Sequence, residues 1–187
     1  SLNLVDGNYL IRSIRVPAAS LGNVPFGFAG GHLQVDTFDG NLINKGGILA
    51  PGPGAGTTAI AGDYQQDGGA ALAIDIGGRI GGDTHDVVNM TGVANLDGQL
   101  QLSLINGFVP NATDSFTILD ASGILGVFDN VSPGGRLNTI DNGGSFVVHY
   151  GSSSPFDASR IILSDFAANS LVCDFDGDGQ CSATDID

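Results

Sequence analysis

Apolar and polar residues alternate with period two in one short segment after another, the spacing of half-buried β-strands. In HLQVDTF (32–38) Leu33 and Val35 share a face. In GAALAIDIGG (69–78) Leu72, Ile74 and Ile76 point one way, and Ala71, Ala73 and Asp75 the other. In QLQLSL (99–104) Leu100, Leu102 and Leu104 oppose Gln99, Gln101 and Ser103. NYLIRSIRVP (8–17), TTAIAGDYQQ (57–66), SFTILDA (115–121), ILGVFDNV (124–131), RLNTI (136–140), SFVVHYG (145–151) and RIILSDF (160–166) extend the series. Turn signals separate them: Asp39-Gly40, the KGG after Asn44, Asp97-Gly98, and APGPGAG (50–56), whose prolines lack donors. Residues 18–31 are rich in Gly and Ala, and the pattern places Phe26 and Phe28 in an exposed loop.

Connections this short leave no room for βαβ crossovers, so the class is all-β. Two architectures satisfy the pattern, a β-sandwich of hairpins and a solenoid whose turns stack and pair along an axis. A recurring xLxVxxxxGxL unit, seen in HLQVDTFDGNL and more loosely in VVNMTGVANLDGQL, favours the solenoid over residues 30–105. Beyond residue 113 the longer alternating strands predict hairpins or a capping sheet, with sandwich and solenoid both open for 113–171.

Composition supports the class. Hydrophobic residues are 42% of the 187 and charged residues only 14%, against roughly 25% in typical chains. All the acidic residues are Asp, Lys45 is the single lysine, and there are 30 glycines, a mixture that favours turns over helices. The net charge of −14 disfavours nucleic acid and anionic membranes, which need counter-charge. No apolar run is long enough to span a bilayer. The N-terminal residues lack the form of a signal peptide, and Ser1 reads as a processing boundary.

The densest charge lies in CDFDGDGQCSATDID (173–187). With Asp174 at position 1 of an EF-hand-like loop, Asp176 and Asp178 occupy 3 and 5, Gly179 the sharp turn at 6, and Gln180 supplies its carbonyl at 7. Ser182, through its hydroxyl or a water, stands at 9, and Asp185 at 12. That is the oxygen set Ca2+ requires, with Asp at position 12 in place of the usual Glu. Without an ion these carboxylates repel one another, so the loop is expected to fold only with its metal. Cys173 and Cys181 flank the first two-thirds of the loop. In a Lys-poor extracellular chain a disulfide is the default for them, a small free-thiol core the alternative, and zinc a poor rival for want of a nearby His.

Residues 46–120 resemble the C-terminal part of large secreted bacterial β-helix proteins, including autotransporter-like passenger domains. The residues that carry this are GGILAPGPGAGTTAIAGDY (46–64) and DVVNMTGVANLDGQLQLSLINGFVPNATDSFTIL (86–119). The chain departs from that family at Asn111-Ala112-Thr113, where a Gly usually precedes the equivalent of Asp114. The tail resembles the first half of a dockerin-type calcium repeat of the kind found at the ends of secreted planctomycete-like proteins, and the Asp at position 12 fits it. A second repeat is expected after Asp187. The resemblance implies a short right-handed parallel β-helix over residues 1–171 with a partial calcium-binding tail over 172–187, in a secreted or surface-displayed bacterial protein. It supplies no catalytic residues.

Other candidate chemistry is sparse. Asp83, His85 and Asp86 in GGDTHDVV could form an acid/base or metal cluster, but a polar turn needs the same residues. His32 and His149 fall within strand patterns as ordinary surface residues. No nucleophile motif is present, APGPGAG lacks the Lys of a phosphate loop, and Arg79, Arg136 and Arg160 are scattered. Asn89-Met90-Thr91 and Asn111-Ala112-Thr113 are sequons that matter only in a glycosylating host. The expected function is an extracellular structural or adhesive module, self-associating or bound to another extracellular protein or polysaccharide, with Ca2+ as its ion. The alternative is a non-catalytic C-terminal part of a secreted polysaccharide-degrading enzyme, or a carbohydrate-binding module.

Overall fold

The computed structural model describes residues 6–16 and 26–169. It is all-β: one eleven-stranded sheet and one five-stranded sheet, with a single short 3-10 turn at Gly151–Ser153 and no α-helix among the described residues. Strands β1 (Asn8–Arg15), β3 (His32–Asp39), β5 (Ile48–Leu49), β8 (Ala71–Ile76) and β11 (Gln99–Leu104) pair in parallel as a first ladder. The C-terminal half of β3 turns onto a second, with β6 (Thr57–Ala61), β9 (Val87–Met90) and β12 (Phe116–Asp120). The third is the smaller sheet, β2 (Phe26–Phe28), β4 (Leu42–Asn44), β7 (Tyr64–Gln66), β10 (Val93–Leu96) and β13 (Gly123–Gly126).

From β3 to β13 the chain visits the second, third and first ladders in rotation. Parallel pairing normally needs a long crossover, usually a helix. Here the two intervening strands serve as the crossover, which is why parallel sheets form without helices. The antiparallel strands β14 (Arg136–Asn138), β15 (Gly144–His149) and β16 (Arg160–Ala168) extend the second ladder beyond β12, so the hairpins expected beyond residue 113 begin only at Arg136, while β12 and β13 still pair in parallel with the preceding strands.

Alternation fills the interior with like residues in register. Leu33, Leu49, Leu72 and Leu100 are consecutive partners in the first ladder, each at most 1% exposed. Phe38, Ile60 and Met90 line the second, and Phe26, Leu42, Tyr64 and Ala94 the third. Each fully buried Leu or Phe contributes about 1.5–3 kcal/mol. Phe26 and Phe28 are therefore core residues of β2, not loop aromatics. Their FGF segment is too short for its alternation to be distinguished from the Gly/Ala-rich stretch around it.

Where the third ladder passes to the first, the corner is polar but satisfied. Asn44 Nδ2 donates to the Ala71 carbonyl at 3.1 Å and its Oδ1 accepts from Gly47 N–H at 2.9 Å. Tyr64 Oη donates to Gln66 Oε1 at 2.9 Å, and Gln66 Nε2 donates to the carbonyls of Asp97 and Gln99. Burial holds the Tyr64 phenol far above its ordinary pKa. Among the described residues no buried side-chain polar atom lacks a partner.

The opposite corner, from second to third ladder, is a column of Gly40, Gly62 and Gly92. A Cβ on Gly62 would lie 2.3 Å from the Gly40 carbonyl oxygen, and one on Gly92 2.2 Å from Asp63 Oδ1. Backbone, not a flexible side chain, obstructs the first. Gly62→Ala is therefore expected to lower stability by about 1–3 kcal/mol, the cost of overpacking, in chemical denaturation. An unchanged midpoint would mean the corner is open.

Candidate functional site

The proposed calcium ligands Asp174, Asp176, Asp178, Gln180, Ser182 and Asp185, with Cys173 and Cys181, lie outside the described residues. Among the described residues no group of three or more His, Cys, Asp or Glu side chains could hold a metal ion. No helix among them is long and apolar enough to cross a membrane.

The segment 77–86, between β8 and β9, is more than a polar turn. Asp83 is exposed, but His85 and Asp86 are buried, at 4% and 1% exposure. His85 Nδ1 is hydrogen-bonded with the Gly78 carbonyl at 3.1 Å, and the ring stands edge-on to Phe116, 5.3 Å between centroids. Burial pulls its pKa below the usual imidazole value. Asp86 Oδ1 accepts from Gly56 N–H at 2.7 Å and its Oδ2 from Asp75 N–H at 2.8 Å. One carboxyl thus fastens the end of the APGPGAG loop to strand β8.

Among the described residues no cation pairs with that carboxyl, and burial pushes its pKa up to about 8, above the value the two N–H donors alone would allow. The neighbouring Asp75 carboxylate acts in the same direction. Gly56 and Asp75 hold Asp86, and Gly78 and Phe116 hold His85, which also borders a shallow cavity beside Arg79 and Thr57. The polar turn reading holds for residues 77–84, which are mostly bends and turns closed on the Ile80 carbonyl, and the burial of His85 and Asp86 is what it lacks: the two donors to Asp86 lie 30 and 11 residues upstream.

Loop 106–114 is clipped by charge. Arg79 Nε and Nη2 bind Asp114 at 2.8 and 2.6 Å, and the guanidinium lies 5.3 Å over the Phe108 ring. The absent glycine before Asp114 leaves the turn intact, because Asp114 also accepts from Asn111 N–H at 2.8 Å.

How each ladder ends at its C-terminal side is the sharpest asymmetry in the molecule. The edge of β11 is closed point by point: Asn130 Oδ1 accepts from Leu100 N–H at 3.0 Å and its Nδ2 donates to the Leu100 carbonyl at 2.8 Å. Ile140 N–H donates to the Leu102 carbonyl at 2.8 Å, and Asp141 Oδ1 accepts from Leu104 N–H at 3.0 Å. The second ladder is continued by β16, β15 and β14. Among the described residues the third has neither device, with only the 3-10 turn Gly151–Ser153 lying near β13. Among the described residues β13 pairs with β10 alone. Its outward position, occupied by Gln65 and Asn95 in the preceding strands, is Leu125, 62% exposed, followed by Val127 at 51%.

No protein-family model, curated protein or solved structure matches the chain.

Proposed function

We propose that this chain is an extracellular, non-catalytic structural module of a bacterial protein. In this reading it is a short right-handed parallel β-helix, each turn supplying one strand to each ladder, with a calcium-binding tail. Its work is to join subunits. The observation that carries it is β13, an edge strand with apolar outward residues. Proteins ordinarily blunt such an edge with charge, proline or a covering segment, and this chain does so at the other two ladder ends. The sequence GILGVF (123–128) contains no charged residue. Main-chain groups on its free side and the Leu125 and Val127 side chains can be satisfied together by an added strand.

A second copy brings the same net charge of −14, so association is expected to strengthen as salt screens the repulsion. Light scattering at physiological salt should find an oligomer of the native chain. Leu125→Lys, at an exposed position where the fold does not depend on the side chain, should return it to monomer with unchanged circular dichroism. A native chain that stays monomeric across salt and concentration overturns the reading.

A further inference from the structure

We infer that the outer face of the second ladder is a binding groove for a linear, neutral, polyhydroxylated glycan. It stands on observations separate from those at β13.

One register row crosses six strands on this face: Ser13, Thr37, Ala59, Asn89, Asp120 and Arg160 are successive cross-strand partners. All six are small or polar. At the usual spacing between neighbouring strands the row spans roughly 24 Å. Two adjoining shallow cavities lie along it, of about 470 and about 340 Å3, and they share Asn89 and Asp120. The first is a saddle, because Ala59 and Ala61 are short where their neighbours in adjacent strands, Thr37, Asp39, Asn89 and Thr91, are longer. The second is walled by Arg79 and carries the hydroxyls of Thr57, Ser115 and Thr117.

Charge identifies the ligand. The chain has six Lys and Arg in all. Three of them gather round this one face, each against its own carboxylate: Arg15 with Asp39 at 3.2 Å, Arg160 with Asp120 at 3.0 Å, and Arg79 with Asp114 at 2.6 Å. The groove is thus locally neutral on a protein of net charge −14. Such pairs in the open contribute little to folding, but a carboxylate beside a guanidinium offers acceptors and donors at one point. The amide of Asn89 does the same. That is the requirement for gripping vicinal hydroxyls, each at once donor and acceptor.

Ala59 and Ala61, with the edges of Met90 and Ile60 beneath them, leave a smooth apolar floor for the C–H face of a sugar ring. A polyanion would meet the uncompensated charge of the rest of the molecule, and a polycation would have to compete with the guanidinium already beside each carboxylate. The rings bordering the groove, Phe38 and His85, are both buried, so among the described residues it has no exposed aromatic platform and the affinity is modest, roughly millimolar per short oligomer. The tandem row makes longer chains bind better.

The test is NMR titration of the full chain with neutral linear hexasaccharides of glucose, mannose and xylose, against oligogalacturonate as the acidic comparison. At least one neutral series should shift amides of β6, β9 and β12, with affinity rising from trimer to hexamer. Asn89→Ala should weaken binding about tenfold. Ala59→Tyr, at an exposed outward position, should fill the saddle and abolish it while the spectrum stays folded. Leu125→Lys should bind as the native chain does, which separates this groove from the association surface. Absence of shifts with every neutral oligomer, preference for the acidic one, or full binding by Ala59→Tyr overturns the inference.

Discussion

Between about pH 6.5 and pH 8 the folded protein is expected to lose about 2 kcal/mol of stability, at about 1.4 kcal/mol per pH unit, through Asp86. The sign is opposite to that of a salt-bridged aspartate. Asp86 titrates near 8 when buried against Gly56 and Asp75, but at its ordinary 3.8 once the chain unfolds. In that interval the folded state holds a proton that the unfolded state releases, so stability is greatest below the unfolded value and falls as pH rises to 8. Burial also raises the pKa of Asp75, which acts in the same direction. Asp114, beside Arg79, and Asp157, bonded by Ser159, titrate low. Their contribution is lost only as pH falls through the acid range. His85, held below its ordinary 6.5 by burial, opposes Asp86 until the unfolded imidazole has lost its proton, so the fall due to Asp86 stands alone above about pH 6.5.

Asp86→Asn isolates the effect. Its amide keeps one acceptor but turns an N–H2 toward the other backbone donor, at a cost of about 1–3 kcal/mol. The variant should therefore be less stable than the native chain at pH 5, should lose most of the fall between about pH 6.5 and 8, and should be equal or superior by pH 9. Urea denaturation at four pH values measures both curves. A native chain whose stability is flat or rises over the same interval would falsify the assignment.

Calcium should bind the tail once, with an affinity roughly in the 0.1–1 mM range of extracellular modules. At a hundredfold excess over the dissociation constant, linkage adds about 2.7 kcal/mol to whatever folds with the loop. Asp178→Ala removes a carboxylate from position 5, and the calorimetric heat should vanish while the melting of residues 6–169 is unaltered. Magnesium, which demands a tighter octahedron, should bind far less well. No heat at several millimolar calcium means the aspartates are a solvated acidic segment. Thiol labelling under denaturing conditions tests the Cys173–Cys181 bond in the same sample: no reactive thiol is expected before reduction, and two before reduction exclude the bond.

Where alternation ran long enough, local pattern was sufficient to place side chains. Leu72, Ile74 and Ile76 are all within 1% of full burial, as their spacing predicts, and Leu100 and Leu102 behave likewise. Period two is a property of one strand, so it survives without knowledge of the neighbours. The three-residue β2 was too short for that logic, and Phe26 and Phe28 were placed in a loop. No pattern in residues 77–86 could show that Asp86 would find Gly56 and Asp75.

Strand content and net charge follow from residue identity alone, because propensity and charge are local. Which residues become neighbours is not local. Ala59 and Asn89 are adjacent because the chain between them runs once through the other two ladders, and Asp120 joins them by another such passage. The gathering of Arg15, Arg79 and Arg160 on one face, the raised proton affinity of Asp86, and the edge of β13, which no described strand pairs, are all products of that stacking. They depend on distances between segments far apart in the chain, and only the folded backbone sets those distances.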